Sequence, residues 1–262
     1  MSLILPALLM LAVPGDGALP TIDEIQFEEC TKLAFSDPKS ALVQAGEWAK
    51  RKDDYRARAC QGFALANDFQ FADAVPVLTR AATAAEQAHD PRAAKFWAAA
   101  GNAAIGAGQT EDALVALDRA ITGAEPLGGV DRAECQIDRA RALVALGRND
   151  EAAKALDDAR ATGPENGSAW LYSATLARRM GALEKALGFI QTAATLSPTD
   201  PAIALEAGNI AYAGGDDAAA RKQWQQVLAI APKSRQAATA QGLLAQLDEV
   251  EPAPAAQDSQ SR

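Results

Sequence analysis

One histidine and three cysteines are the chain's stock of soft, readily titrated side chains: His89, Cys30, Cys60 and Cys135. An imidazole can move a proton near neutral pH, and a thiolate can attack a carbon or hold a metal. Both tasks need neighbours. A general base needs a nucleophile within reach, and a zinc site needs three or four ligands. His89 stands beside Asp90-Pro91 in a turn-forming run, which predicts an exposed loop position. The sequence shows no nucleophile–base pair, no metal-ligand spacing and no Gly-rich phosphate loop. These residues predict a protein that is not an enzyme and takes no cofactor. The balance of 34 acidic against 25 basic residues gives a net charge of −9. That argues against nucleic acid as partner, since such binding needs a basic stripe to displace counterions.

If the chemistry is recognition, the elements that hold the recognising side chains come next. Of 262 residues 49% are hydrophobic but only 5% aromatic, so the core must be built from Ala and Leu. Ala and Leu favour helices and strand-like runs are few, which predicts an all-α fold. Three stretches align without a gap: LGRNDEAAKALDDARATGP (146–164), MGALEKALGFIQTAATLSP (180–198) and GGDDAAARKQWQQVLAIAP (214–232). Gly147, Gly181 and Gly215 recur at a spacing of 34, as do Ala152, Ala186 and Ala220, and Pro164, Pro198 and Pro232. Upstream, Gly108, Ala113, Ala74 and Ala41 extend the register. Six units follow: 22–54, 55–88, 94–127, 133–166, 167–200 and 201–234. The five-residue excesses fall at HDPRA (89–93) and GGVDR (128–132), turn-rich places where insertion costs little.

Each unit reads as two helices. The second begins near an acidic residue such as Asp150, Glu184 or Asp217, which suits a helix N-terminus, and closes before Pro. Small residues stand where the two helices approach: Gly101, Ala140, Ala174 and Gly208 in the first helix, and the repeated Ala in the second. This pattern resembles the tetratricopeptide repeat, with its period of about 34 residues and its Trp, Gly, Ala and Pro signature. Gly208-Asn209, Gly215-Asp216, Ala220, Trp224 and Pro232 carry the resemblance in the last unit. Trp170, Gly181, Ala186 and Pro198 carry it in the fifth, and Trp97, Gly101-Asn102, Gly108 and Ala113 in the third. The first two units are degenerate: Ser36 and Phe69 replace the turn Gly, and Pro76 lies inside a helix. The resemblance implies a right-handed α-solenoid of about six helix pairs, with 235–248 as a capping helix. It makes Trp97, Trp170 and Trp224, with Trp48 near such a place, core residues.

The resemblance also implies that the first helix of each pair lines a concave groove. The implied groove positions are Arg56 and Phe63, Lys95 and Asn102, Ile137 and Arg141, Leu171, Thr175, Arg178 and Arg179, and Leu205, Asn209 and Tyr212. This set is basic with almost no Asp or Glu, which suits a peptide carrying acidic side chains or a free C-terminus, since Arg forks pair with carboxylates. The alternative is a solvated helix face. Only Asn102 matches the Lys/Asn clamp that some members use. Aligned to the repeat, Cys30 and Cys60 face each other on adjacent first helices. An exported protein would join them in a disulfide stapling the degenerate units; otherwise they are two small buried residues. Cys135 is left over and reads as a packing residue.

Residues 3–13 form an apolar run too short to span a bilayer, followed by Pro14-Gly15 and small residues. That is the layout of a secretory signal over 1–18, with cleavage near Gly17 or Ala18 and no membrane span afterwards; the alternative is a buried N-terminal helix. The end, 249–262, is rich in Pro, Ala, Ser and Gln and is expected to be a disordered tail. The whole reads as a non-catalytic scaffold for a peptide or partner protein, exported to the periplasm or cell envelope. The alternatives are a cytoplasmic regulator or co-chaperone-like adaptor of the same fold, and an enzyme that uses the solenoid as a scaffold.

Overall fold

The computed structural model describes residues 20–123 and 127–250. The leader expected over 1–18 and the tail beyond residue 250 lie outside the described residues. The described residues form thirteen α-helices and no strand. The pairs are α1 (Ile22–Ser36) with α2 (Pro38–Arg51), α3 (Tyr55–Asn67) with α4 (Phe71–Gln87), and α5 (Ala93–Gly106) with α6 (Thr110–Thr122). Then come α7 (Gly129–Ala145) with α8 (Asn149–Thr162), α9 (Gly167–Arg179) with α10 (Leu183–Leu196), and α11 (Pro201–Ala213) with α12 (Asp217–Ile230). A last helix, α13 (Arg235–Val250), packs on α11 and α12.

Local chemistry sets the ends. Side chains accept from the first-turn amides at Thr21, Asp37, Asp54, Asn166, Asp200 and Asp216, which satisfies donors a helix leaves unpaired. Within most pairs the turn is a left-handed residue that closes two backbone hydrogen bonds. Gly147 N–H donates to Val144 at 3.0 Å, and Arg148 N–H to Leu143 at 2.9 Å. Gly108, Gly147, Gly181 and Gly215 hold φ between 73° and 80° there. Phe69 takes the same role in the second pair at φ 61°, a conformation that strains any residue with a Cβ. The first pair has no such residue. Asp37 alone joins α1 to α2, and Pro38 starts the second helix.

Close approach within a pair is set sixteen residues apart. A Cβ added to Gly62 would lie 2.5 Å from Leu78, one on Gly101 2.6 Å from Leu117, and one on Gly208 2.4 Å from Trp224. The first-turn alanines of the second helices, Ala41, Ala74, Ala113, Ala152, Ala186 and Ala220, are fully buried. First helices also touch the first helices of neighbouring pairs, from α1–α3 through α11–α13. Second helices make no comparable contact with one another, so they form the outer layer and the first helices the inner one. The chain is therefore an all-α solenoid. The core is mostly alanine around a few large side chains: Trp48, Trp224, Phe96, Leu78, Leu117 and Leu143.

The N-terminal pairs carry extra ties. The Cys30 and Cys60 sulfurs lie at bonding distance across α1 and α3, their Cα atoms 6.0 Å apart and both side chains fully buried. At the HDPRA insertion, Asp90 is buried and receives the Tyr55 hydroxyl at 2.7 Å and the Arg92 guanidinium at 2.6 Å. Burial works to raise Asp90, but hydrogen bonds from Arg92 and Tyr55 outweigh it and hold the carboxyl down at about 2. His89 is exposed at φ 54°. Cys135 is buried, and burial with the nearby Asp138 and Asp118 charges pushes its thiol up to about 12.

Candidate functional site

The inner face is presented by α5, α7, α9 and α11. Its first feature overturns a sequence expectation: the face is not a basic strip poor in acids. Carboxylates neutralise nearly every cation assigned to it. Arg178 holds Glu206 through two contacts, at 2.6 and 3.3 Å, and Glu206 is only 6% exposed. Arg141 pairs with Asp138 at 2.7 Å, and Lys95 with Asp131 at 3.1 Å. Arg56 lies 3.2 Å from the buried Asp54 and 3.9 Å from Asp23. Among the assigned cations Arg179 alone forms no ion pair with the described residues, and it is exposed.

The other assigned residues divide by burial. Ile137 is 2% exposed and sits in the core, so it offers no surface to a ligand. Phe63 is half-buried with its ring 5.9 Å from Phe96. Leu171 and Leu205 are half-buried against the apolar clusters of the last pairs. Asn209 is tied on both sides: its amide nitrogen donates to Glu206 at 3.3 Å, and its oxygen accepts from the Trp224 indole at 3.3 Å. Tyr212 is 51% exposed with its ring 5.7 Å from Trp224. Asn102 is exposed in a shallow cavity between α5 and α7, beside Lys95, Asp131, Glu134 and Asp138. Burial raises the Asp138 carboxyl, and the Arg141 hydrogen bond works against that rise.

Three assigned residues converge. Arg141, Thr175 and Arg179 share a cavity of about 220 Å³ between α7 and α9 with Tyr172, Ala140, Val144, Leu156 and Leu176. Arg141 lies 5.9 Å from the Tyr172 ring centre, within cation–π range. The Thr175 hydroxyl bonds back to Leu171 O at 3.1 Å. The cavity thus combines an apolar floor, an aromatic wall and one guanidinium with open donors. It can take an apolar side chain whose neighbour carries a carboxylate. Sequence reasoning missed Tyr172, Asp138 and Glu206. The Asp138/Arg141 spacing of three was a usable helix signal. Glu206 gave none, since its partner lies 28 residues away on another helix.

Among the described residues no group of three His, Cys, Asp or Glu side chains could hold a metal. Among them, also, no helix is long and apolar enough to cross a membrane.

Comparison with known proteins bears on the fold. PilW, described as a widely conserved type IV pilus biogenesis factor, superposes with a TM-score of 0.70 at 16% identity, covering 84% of this chain and 99% of PilW. PilF of Pseudomonas aeruginosa superposes with a TM-score of 0.64 at 14% identity, again over 84% of this chain and 99% of that one. YrrB, a tetratricopeptide repeat protein with an unusual peptide-binding site, gives 0.53 at 16% identity over 76% of this chain and 97% of its own. No curated protein matches the chain in sequence. The family model for the tetratricopeptide repeat matches residues 137–201, which run from α7 into the start of α11 and contain the α7–α9 cavity. Residues 137–201 thus match the tetratricopeptide repeat, and the described residues around them share the solenoid fold of the proteins they superpose on.

Proposed function

We propose that this protein is a non-catalytic scaffold that captures a peptide or partner protein on its inner face, at the cavity between α7 and α9. One observation carries the reading: Arg179 is left without a carboxylate partner beside Tyr172 and an apolar floor, on a face where the other assigned cations are neutralised. An exposed Arg fork next to an aromatic wall fits an apolar residue followed by an acidic side chain or the chain's own C-terminal carboxylate. We place the protein in the cell envelope. The apolar leader, the Cys30–Cys60 geometry and the fold shared with a pilus biogenesis factor support that placement.

The test uses fluorescent peptides ending in an apolar residue plus Glu or a free carboxylate. Arg179→Glu should weaken binding by about tenfold or more, roughly 1.4 kcal/mol, with helix content unchanged by circular dichroism. Equal affinity would remove the groove reading. Arg178→Glu is the wrong variant for this purpose, because it strips the buried Glu206 of its partner and would act through folding. Intact mass from the native host, with thiol labelling before and after reduction, tests the compartment. A chain starting near Ala18 with one thiol labelled in denaturant before reduction supports export. A chain starting at Met1 with three moves the protein to the cytoplasm.

A further inference from the structure

The side of α7 turned away from the groove carries a second site. Residues 132, 136 and 139 are spaced by four and three, so they share one helix face, and Asp131, Glu134, Asp138 and Arg141 occupy the other. Arg132, Gln136 and Arg139 floor a cavity of about 420 Å³ whose walls are α6 and α8. Those two outer helices make no direct packing contact comparable with their contacts to α7. The GGVDR insertion is built into this place: α7 spans 17 residues against 13 in α9 and α11, and Arg132 comes from the added segment.

The floor is unfinished. Gln136 is 5% exposed, and its Oε1 is buried with no hydrogen-bond partner. A buried acceptor of that kind calls for a donor. The charged groups around it are partly spent. Arg139 holds Asp118 at 2.6 Å, and Arg148 holds Glu151 at 2.6 Å. Arg132 gives one N–H to the Ile121 carbonyl at 2.8 Å and forms no ion pair with the described residues. Lys154 and Asp158, one turn apart on α8, likewise form none. The open groups are therefore one buried acceptor, two cations and one carboxylate.

We infer that this outer cavity binds an α-amino carboxylate unit, an N–H donor one carbon from a carboxylate. A turn of the Gln136 carboxamide brings Oε1 to the cavity, where it accepts the N–H, and the carboxylate lies between Lys154 and Arg132. Either the last residue of a peptide chain or a free amino acid or dipeptide has this chemistry. In the second case the ammonium group also answers Asp158, which a blocked peptide leaves unmatched. The site is separate from the α7–α9 cavity and does not depend on the groove reading.

Four probes titrated into the full chain, followed by amide chemical shifts of α6–α8, decide the matter. They are N-acetyl-Gly-Ala-Ala with a free carboxylate, its C-terminal amide, the dipeptide Ala-Ala, and alanine. Binding of the free carboxylate forms with loss on amidation is expected. Tighter binding of the acetylated peptide identifies a chain terminus as the source, and tighter binding of Ala-Ala or alanine identifies the free compound. Gln136→Met, close in volume and lacking the orphan acceptor, should lower affinity by about tenfold or more while leaving thermal stability unchanged or raised. Lys154→Gln, on an exposed position that does not threaten folding, should also weaken the carboxylate probes. Arg179→Glu should leave this binding intact. The inference is overturned if no probe shifts α6–α8, if amidation has no effect, or if Gln136→Met and Lys154→Gln bind as the wild type does.

Discussion

In the pair α11–α12, Gly215 makes the turn at φ 80° and Gly208 lets α11 close on the buried Trp224. In the pair α3–α4, Phe69 makes the same turn at φ 61° and Pro76 interrupts the helix ladder, removing one backbone donor. The two regions reach the same architecture with unequal local support. The last pairs rest on residues that fit the repeat geometry without strain. The first pairs carry strained or missing turn residues and are tied instead by long-range links: the Cys30–Cys60 contact and the Tyr55–Asp90–Arg92 cluster. A solenoid's stability is close to a sum over units and their interfaces, so local deficits must be compensated locally.

The largest expected effect follows from that difference. A bond between residues 30 apart in sequence removes unfolded-state freedom worth about 3.5 kcal/mol in the chain-entropy account. Cys60→Ala, or reduction, should lower hydrogen-exchange protection in α1–α4 by about that amount. Helices α9–α12 should keep theirs, because they share no contact with the cysteines. A uniform loss along the whole chain would break the comparison and show that the solenoid unfolds as one unit.

The regular half was also the legible half. Gly147, Gly181 and Gly215 stand out in sequence because a left-handed turn excludes most other residues, and the structure puts all three at positive φ. The buried alanines of the second helices follow from the same 34-residue register. Phe69 could be recognised as standing where Gly was missing, but not as adopting the Gly conformation. The site was harder to read. Alignment placed Arg178 on the inner face without showing that Glu206, one pair further on, would claim it. It also placed Ile137 in the groove, whereas α7 turns that side chain into the core. The outer cavity leaves no sequence signature beyond the GGVDR excess, because the gap between α6 and α8 is a property of packing rather than of any one helix.

The next effect probes the regular half. Gly208→Val would bring a Cβ to 2.4 Å from the Trp224 indole, and that side chain is 1% exposed with nowhere to move. Overpacking should destabilise α11–α13 by about 2 to 3 kcal/mol, partly offset by the better helix propensity of Val. Gly188→Val provides the contrast. No atom lies within 4 Å of an added Cβ there, so the same substitution should be neutral or slightly stabilising. Urea titrations of the two variants measure both. Equal destabilisation would mean that glycine serves the repeat through backbone freedom rather than through close approach.

The smallest effect has the opposite sign and tests the strained half. Phe69→Gly relieves a left-handed conformation that costs a residue with a Cβ about 1 to 2 kcal/mol. Against that stand the extra unfolded freedom of Gly and the loss of an edge-on contact with Phe71 at 6.0 Å. Phe69 is 81% exposed, so little burial is lost. The balance is a net stabilisation of about 0.5 to 1 kcal/mol, seen as slower hydrogen exchange in α3 and α4. The gain should be larger after reduction of the Cys30–Cys60 pair if the two features share one cooperative unit. A gain independent of the cysteines would show that turn strain and staple act on separate units, and would sharpen the contrast to a difference between single pairs.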